Sequence, residues 1–191
     1  MQRLSAAVAK SVIRHDHILG HNSQIMQTLR PPCNVFINHR GVETKRNIAS
    51  LLYDFLTLLD LRPFLDRKSM KPGDKLLDEI NGAIYGCKVG VAVFSPLYCE
   101  SWFCLQELAL LMETKKKVIP IFCDVKPSQL HVVDEVTHSA GDLQRYRHAL
   151  EEAKNTVGLS FCSSKGDWSK LLRDVSDAVV QNLPEAEEEK P

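Results

Sequence analysis

Several features that would direct the interpretation of a chain are missing from these 191 residues. Charge of one sign is missing, because 24 Lys and Arg balance 24 Asp and Glu and the formal net charge is zero. We therefore do not expect a protein that coats nucleic acid or an anionic membrane through bulk charge. Glycine and proline number only 9 each, which excludes a collagen-like or low-complexity chain. With 44% hydrophobic and 25% charged residues, the composition is typical of one globular domain.

Long hydrophobic runs are missing as well. No apolar stretch approaches the roughly 18–20 residues that span a bilayer, and we expect no contact with a membrane. Residues 1–31 carry four Lys and Arg against one acid and are predicted to form a flexible N-terminal extension. Their basic, Ser/Ala-containing composition also resembles an organelle transit peptide, so targeting stays open. The folded domain is predicted over residues 32–183, followed by a disordered acidic tail at residues 184–191.

The cysteines form neither a disulfide framework nor a metal-binding pattern. The six cysteines are irregularly spaced and contain no C-x-x-C pair, which argues against a structural zinc site. Free thiols indicate a reducing compartment, so the cytoplasm is the predicted location, with the nucleus as an alternative. His15, His17 and His21 lack carboxylates or thiolates at ligand spacing, and no metal site is predicted.

Motifs of the common nucleotide-binding folds and hydrolases are also missing. The segment His39–Glu43 holds one glycine, so it is neither a P-loop nor a dinucleotide fingerprint. No G-x-S-x-G nucleophile elbow occurs. The segment Asn34–Arg40 contains no acidic residue, which argues against a response-regulator phosphoacceptor, because that chemistry needs clustered acids after the first strand.

The chain does contain a repeated alternation of strand and helix. Short apolar runs predict strands, and apolar residues three or four apart predict helices. This order predicts an α/β fold, a flavodoxin-like open parallel sheet of five strands in the order 2-1-3-4-5 with helices on both faces. The predicted strands cover residues 34–39, 62–66, 89–94, 118–123 and 159–162, and the helices cover residues 44–59, 75–85, 101–113, 144–155 and 168–183.

The predicted topology places a ligand site at the carboxyl ends of strands 1 and 3. Arg40 directly follows strand 1 and supplies a planar cation suited to phosphate. The helix over residues 101–113 begins nearby and directs its positive end toward the same place. Lys115–Lys117 lie at the other end of that helix, where cations meet the negative pole of the helix dipole. We interpret these lysines as a solvated helix end, and nucleic acid is not expected as a partner.

Four segments resemble motifs of plant TIR (Toll/interleukin receptor) domains. Cys33–Gly41 is similar to their DVFLSFRG, Ser101–Leu108 to their S-x-W-C-L-x-E-L, and Val118–Ser128 to their VIPIFYDVDPS, while the Gly73 loop matches their loop after strand 2. The motifs keep the family's order, and no nucleotide-binding switch domain or leucine-rich repeat follows them, so the chain resembles a TIR-only member. The resemblance implies an enzyme that cleaves NAD⁺, releases nicotinamide and forms ADP-ribose or cyclic ADP-ribose isomers as plant immune or cell-death signals. NAD⁺ is then the substrate, and no cofactor is implied.

The resemblance places the family's catalytic glutamate at Glu107. Cleavage of the nicotinamide–ribose bond develops positive charge at the anomeric carbon, as glycoside hydrolysis does. Because the leaving pyridinium is already cationic, no acid has to protonate it, and one carboxylate can hold the ribose and stabilise the charge. Without the motif, Glu107 would be interpreted as a solvated glutamate on an amphipathic helix.

The residues that the resemblance assigns to substrate binding surround this glutamate. The chain departs from the family pattern at Asn38-His39, where the family has Ser-Phe, and at Trp102-Phe103, where the tryptophan is shifted by one position. His39 is interpreted as a polar lining residue, since the reaction needs little acid–base help. Cys104 matches a cysteine that the resemblance connects with a second activity on nucleic acids, and a thiol packed on the sheet is the alternative. The expected NAD⁺-binding residues are Arg40, Gly41, His39, Lys68, Trp102 and Phe103.

TIR domains resemble one another in acting through self-association. We therefore expect dimers or higher oligomers, possible partnership with other TIR domains, and a mobile loop over residues 66–74 that gates the site. The alternative function is a non-catalytic TIR adaptor that works only through TIR–TIR contacts. The glutamate at position 107 is the feature that favours the enzyme.

Overall fold

A computed structural model describes residues 33–41, 48–133 and 139–183. The predicted N-terminal extension, the first turn of the helix expected over residues 44–59 and the predicted acidic tail lie outside these ranges. None of the helices within the described ranges has both the length and the apolar character needed to cross a membrane.

Five parallel strands form one sheet in the order β2-β1-β3-β4-β5, which confirms the predicted topology. β1 pairs with β3 from Val35 opposite Val89 to His39 opposite Val93. β1 and β3 are buried along their whole length, as expected of central strands covered by helices on both faces. The strands are β1 Val35–His39, β2 Pro63–Phe64, β3 Val89–Phe94, β4 Lys117–Cys123 and β5 Leu159–Phe161.

The helices within the described ranges follow the predicted alternation, with one addition. The single turn Asp66–Ser69 is helical, whereas the sequence predicts an extended residue followed by a polar loop there. One turn is too short to show the 3.6-residue periodicity from which helices are predicted. The helices are α1 Ile48–Leu58, α2 Asp66–Ser69, α3 Leu76–Gly86, α4 Trp102–Glu113, α5 Ala140–Lys154 and α6 Trp168–Asn182, with 3₁₀ turns at Tyr98–Glu100 and Pro127–Gln129.

β1 sends alternate side chains to the two faces of the sheet. Val35 and Ile37 belong to the apolar cluster under α1 and α6, whereas Phe36 belongs to the cluster under α3, α4 and α5. Asn38 follows Phe36 by two positions, so it lies on the α4 face, and its exposure is 0%. A buried amide costs free energy unless it is hydrogen-bonded, so the partners of Asn38 are the first question that the fold raises.

A close approach between β4 and the start of β5 makes Gly158 sensitive to substitution. A Cβ atom at Gly158 would lie 2.6 Å from the Pro120 carbonyl oxygen. We therefore expect Gly158→Ala to lower the free energy of unfolding by about 2 kcal/mol, a magnitude typical of overpacking. Urea denaturation measures this loss. Gly141→Ala is the matched control, because its Cβ would meet nothing closer than Ser139 Oγ at 3.8 Å, and an equal loss in both variants would contradict the steric explanation.

Candidate active site

Glu107 lies in the second turn of α4 and points toward the carboxyl end of β1. The helix begins after Ser101, whose side chain accepts a hydrogen bond from the Cys104 amide. Asn38, from the end of β1, donates through Nδ2 to Glu107 Oε2 at 2.8 Å and to the Cys104 carbonyl at 3.1 Å. The carboxylate therefore sits between strands 1 and 3, at the place where parallel sheets of this order bind ligands.

Tyr98 supports Asn38 from the opposite side. The Tyr98 ring is completely buried in the 3₁₀ turn that follows β3. Its hydroxyl donates to Asn38 Oδ1 and lies 3.1 Å from the Cys104 carbonyl. Burial raises the pKa of Tyr98 well above its ordinary value, so the phenol keeps its proton and stays a donor.

The Glu107 side chain is half-buried, and its carboxylate binds a proton more strongly than an exposed carboxylate does. Its burial raises its pKa to about 7, an effect that the Asn38 hydrogen bond opposes and the nearby negative charge of Asp66 reinforces. Removal of water disfavours the charged form of an acid, whereas a donated hydrogen bond favours it. A group that titrates near neutral pH in a cleft is a candidate for catalysis.

The cleft beside Glu107 is narrow and largely apolar. It is lined by α3 and α4, and its volume is about 10 Å³, which is room for about one water molecule. A dinucleotide is much larger than this space. The lining residues are Leu77, Ile80, Asn81, Phe103, Gln106 and Glu107.

Two of the predicted substrate-binding residues form an aromatic pair at the entrance. Trp102 and Phe103 stack with their ring centroids 3.7 Å apart, and they are 39% and 37% exposed. Phe103 itself lines the cleft beside Glu107. An exposed aromatic face at a cleft suits stacking of a planar base.

Arg40 lies at the same end of the sheet but is held by an acidic partner. Its guanidinium donates to Glu100 Oε2 at 2.9 Å and to the carbonyl of Leu97, which ties the end of β1 to the 3₁₀ turn. The Arg40 side chain is 20% exposed and that of Glu100 is 52% exposed. A phosphate that binds Nη1 of this guanidinium would compete with the Glu100 carboxylate.

The remaining predicted substrate contacts lie around the site in different ways. His39 is buried at the end of β1, and its carbonyl accepts a hydrogen bond from the Cys104 thiol at 3.3 Å. Gly41 is half-buried one residue beyond Arg40. Lys68 extends away from Glu107 toward α1, where it pairs with Asp54 at 2.5 Å and covers the ring of Tyr53 at 4.8 Å. The structure therefore does not bring Lys68 together with the glutamate.

The Cys104 thiol faces the sheet instead of the cleft. Burial raises its pKa to about 12, so it is a neutral thiol at physiological pH. Because the thiolate is the nucleophilic form, this geometry favours a packed thiol over a reactive one.

This difference in thiol ionisation can be measured by alkylation. Cys162 is exposed, and the hydrogen bond with Ser164 lowers its pKa. We expect iodoacetamide at neutral pH to modify Cys162 first and to leave Cys104 unmodified in the folded protein, as read by peptide mass spectrometry. Equal labelling of both residues in the native state would contradict this assignment, and denatured protein, in which both must react, is the control.

A second, larger cleft lies at the opposite edge of the sheet. Its volume is about 500 Å³, and Lys88 and Lys115–Lys117 line it. α3, α4 and α6 end near this edge, and Lys116 Nζ donates to the Tyr85 carbonyl in the last turn of α3 at 2.8 Å. Because helix C-termini carry partial negative charge, these lysines compensate the helix ends, in agreement with their interpretation from the sequence.

Metal chemistry finds no support in the described part of the chain. Within residues 33–41, 48–133 and 139–183, no group of three or more His, Cys, Asp or Glu residues could hold a metal ion.

The parallel sheet with helices on both faces and the Glu107 carboxylate between the carboxyl ends of β1 and β3 define a class of protein. This class is an α/β domain with a ligand cleft between strands 1 and 3. The family is shown by comparison with known proteins. A TIR domain model matches residues 34–191, and the chain belongs to the TIR domain family, as the motifs predicted.

Several relatives of known description are plant proteins. The chain is 51% identical over 157 residues to the "Probable 2' cyclic ADP-D-ribose synthase BdTIR" of Brachypodium distachyon, and the match covers 80% of this chain and 70% of that protein. It is 32% identical to "TMV resistance protein N" of Nicotiana glutinosa, a match that covers 78% of this chain and 14% of that protein. The TIR domains of the activated Roq1 resistosome superpose with a TM-score of 0.68 at 26% identity, covering 77% of this chain and 99% of theirs.

Asn38 and Tyr98 are the site residues that sequence reasoning missed as partners of Glu107. The sequence singles out Asn38 as a departure from the family pattern at the mouth of the cleft, but not as a partner of Glu107, and it gives no signal for Tyr98. They are separated by 60 residues in the sequence, and Asn38 is 69 residues from Glu107. The sequence holds one signal for Asn38: it is a polar residue at a core-facing position of a buried strand, and such a residue needs a hydrogen-bond partner.

Proposed function

We propose that this protein cleaves NAD⁺ at the nicotinamide–ribose bond, releasing nicotinamide and forming ADP-ribose and cyclic ADP-ribose isomers. The observation that carries the proposal is the carboxylate of Glu107, hydrogen-bonded by Asn38 at 2.8 Å beside an aromatic-edged cleft. The 51% identical relative named a probable 2' cyclic ADP-D-ribose synthase supports the same chemistry. Formation of such a product from NAD⁺ requires loss of nicotinamide from the ribose.

The reaction needs one carboxylate and a shielded site. As the bond to nicotinamide breaks, positive charge develops on the anomeric carbon and ring oxygen of the ribose. The ionised Glu107 stabilises this charge and accepts hydrogen bonds from the ribose hydroxyls. Nicotinamide leaves as a neutral molecule without receiving a proton, so the site needs no second acid. Trp102 and Phe103, stacked at the entrance, suit binding of the planar base.

The competition between water and the adenine end of the substrate decides the product. Attack by water gives ADP-ribose, whereas attack by a hydroxyl or ring nitrogen of the same molecule gives a cyclic isomer. A closed cleft favours cyclisation, because it excludes water from the cation.

Incubation of the purified protein with NAD⁺ tests whether it has this activity. We expect nicotinamide to appear in equal amount to the sum of ADP-ribose and cyclic products, all separated by liquid chromatography. Protein denatured before mixing is the control. Persistent intact NAD⁺ at high protein concentration would contradict the enzymatic function and favour a TIR adaptor that acts only by TIR–TIR contacts.

Self-association is part of the same proposal, with other TIR domains as possible partners. The related Roq1 TIR domains belong to a resistosome, and the aromatic pair Trp102 and Phe103 beside the cleft is exposed in the single chain. Closure of a loop or a neighbouring copy can complete such a site. The segment Asp66–Asp74 adjoins α3 and contains Gly73 at a φ of 99°, a conformation that glycine adopts without strain.

Dependence of activity on assembly predicts a concentration effect. Nicotinamide release per molecule should rise by at least about tenfold between nanomolar and tens of micromolar protein, in parallel with the mass measured by light scattering, since occupancy of a weak complex follows mass action. A constant rate per molecule across that range would contradict the requirement for assembly.

The biological setting follows from the relatives and the thiols. Several relatives are disease resistance proteins of plants, which supports a role of the products as immune or cell-death signals. All six cysteines are free, which supports a reducing compartment such as the cytoplasm. The nucleus shares that redox state, and imaging of a fluorescent fusion in plant cells distinguishes the two locations.

A further inference from the structure

The buried amide of Asn38 contacts the proposed catalytic carboxylate directly. Asn38 has 0% exposure, and its Nδ2 donates to Glu107 Oε2 at 2.8 Å and to the Cys104 carbonyl at 3.1 Å. Both partners are acceptors, so they fix the amide nitrogen on the side of α4. The amide oxygen then faces the opposite side, where the Tyr98 hydroxyl donates to it.

This arrangement satisfies every hydrogen-bonding group of the Asn38 side chain. Its two N–H groups are taken by Glu107 and Cys104, and its oxygen is taken by Tyr98. An amide held on three sides cannot rotate without breaking a buried hydrogen bond, which is unfavourable because the freed groups are left without a partner. Tyr98 is itself fixed by edge-on packing against Phe94, with ring centroids 4.6 Å apart.

We propose that Asn38 is a positioning residue that orients the Glu107 carboxylate and keeps it ionised, and that Tyr98 locks the amide in the required orientation. Asn38 occupies one carboxylate oxygen, Oε2, and leaves Oε1 for the ribose. The proposal deepens the proposed NAD⁺-cleaving function, and it rests on that function for the catalytic role of the Glu107 carboxylate. The hydrogen bond itself can be tested without any substrate.

The charged groups around Glu107 act in opposite directions. Asp66, from α2, raises the pKa of Glu107 and therefore disfavours the ionised form. Tyr98 from the 3₁₀ turn and Cys104 from α4 itself are neutral, because burial raises the pKa of each. From α3, the cleft is lined by Leu77, Ile80 and Asn81, none of which titrates. From β1, the neighbours are Asn38 and then His39, which is buried at the strand end.

Among these neighbours of Glu107, the Asn38 amide is therefore the group that favours the charged carboxylate. A hydrogen bond to the ionised form of an acid lowers its pKa. Removing it should shift the titration of Glu107 to higher pH, by about 1 unit for a charge-assisted hydrogen bond worth roughly 1.5 kcal/mol. Removing only the Tyr98 hydroxyl frees the amide to rotate and should shift the titration less, in the same direction.

The direct test is the titration of Glu107 by carbon NMR of side-chain carboxyl groups, in the wild type, Asn38→Ser and Tyr98→Phe. We expect the pKa of Glu107 to rise in the order wild type, Tyr98→Phe, Asn38→Ser. Serine keeps a polar group in the buried position but is too short to reach the carboxylate. Ser176→Ala is the control for general loss of a buried hydrogen bond, since Ser176 donates to the Leu172 carbonyl in α6, and it should leave the Glu107 titration unchanged.

The same variants are then compared in the NAD⁺ assay. The pH at which kcat/KM falls on the acidic side should move up by about 1 unit in Asn38→Ser, matching the shift seen by NMR. At pH 9, where the carboxylate is ionised in all variants, kcat should still fall about tenfold, because the carboxylate is no longer held in one orientation. Asn38→Asp should move the acidic limb further still, since a second negative charge faces Glu107.

The outcomes distinguish a failure of the positioning role of Asn38 from a failure of the proposed NAD⁺-cleaving function. An unchanged Glu107 pKa in a folded Asn38→Ser variant, judged by its urea denaturation curve, overturns the positioning role whatever the substrate is. A shifted pKa without any NAD⁺ cleavage by the wild type upholds the hydrogen-bond network and overturns the proposed function. If Asn38→Ser does not fold, Tyr98→Phe decides the question, because the loss of one hydroxyl keeps the buried ring.

Discussion

Glu107→Gln is expected to reduce nicotinamide release by about 10³-fold while the fold survives. The substitution keeps the size of the side chain and an oxygen that can accept the hydrogen bond, which Asn38 donates to Glu107 Oε2 at 2.8 Å in the wild type, but it removes the negative charge. Loss of one preorganised electrostatic group at a developing charge typically costs about 10²–10³-fold in kcat, and here the group lost carries the full charge that opposes the cation. Steady-state kinetics with NAD⁺ measures the effect.

The control for Glu107→Gln is the same substitution six residues later in the same helix. Glu113 pairs with Arg145 at 2.7 Å at the other end of α4 and does not line the cleft. Glu113→Gln should keep kcat within about twofold of the wild type, since loss of a surface ion pair costs only about 0–1 kcal/mol of stability. Turnover of Glu107→Gln at the wild-type rate would show that the carboxylate is not catalytic.

Glu107→Gln is also expected to stabilise the protein at alkaline pH. Because the folded-state pKa of Glu107 is raised to about 7, the folded protein holds this proton between about pH 4.5 and 7 while the unfolded chain releases it. The wild type therefore has its full stability below the unfolded pKa and loses stability as the pH rises through the folded value. At pH 8 the ionised, partly desolvated carboxylate should cost on the order of 2 kcal/mol relative to an amide.

The measurement is urea denaturation of the wild type and Glu107→Gln at pH 5 and pH 8. The variant should exceed the wild type in free energy of unfolding at pH 8, and the difference should shrink at pH 5, where folded Glu107 is protonated. A difference of the same size at both pH values would mean that burial does not raise the pKa of this carboxylate. Glu113→Gln again serves as control: the hydrogen bond that Arg145 donates lowers the pKa of Glu113, so Glu113 is largely ionised at both pH values in the folded and the unfolded chain, and the variant should lose a similar small amount of stability at pH 5 and pH 8.

The two effects expected of Glu107→Gln, lower activity and higher stability at alkaline pH, reflect one compromise between stability and function. A carboxylate near neutral pKa is costly to ionise in the folded protein, yet the ionised form is the one that stabilises a sugar cation. The Asn38 amide offsets part of that cost, and the apolar cleft lined by Leu77, Ile80 and Phe103 imposes it. Sites in which function conflicts with stability are expected where a chain places polar groups among core residues.

The fold was predictable because its elements are long enough to show their periodicity. β3, Val89–Phe94, has the predicted bounds, and α6, Trp168–Asn182, differs from its prediction by one residue. Buried strands appear in the sequence as continuous apolar runs and amphipathic helices as a repeated stripe. The single-turn helix Asp66–Ser69 was missed, because four residues contain no repeat, and the two-residue strand Pro63–Phe64 was predicted too long.

The site was predictable only where a motif carried it. Glu107 came from its position in a family pattern, and the structure places it at the predicted switch point of the sheet. The partners of Glu107 could not be predicted, since their role depends on contacts across 60 to 69 residues of sequence. Lys68 shows the converse, because a matching loop position does not fix the direction of a long side chain, which here extends to Asp54.

The most direct test of a catalytic Glu107 is a crystal structure of the Glu107→Gln variant with NAD⁺ bound. The nicotinamide ribose should lie with its hydroxyls within hydrogen-bond distance of the side chain at position 107, and the nicotinamide ring should stack near Phe103 and Trp102. NAD⁺ bound elsewhere, for example among Lys88 and Lys115–Lys117 at the opposite edge, with its ribose far from position 107, would contradict the proposed active site.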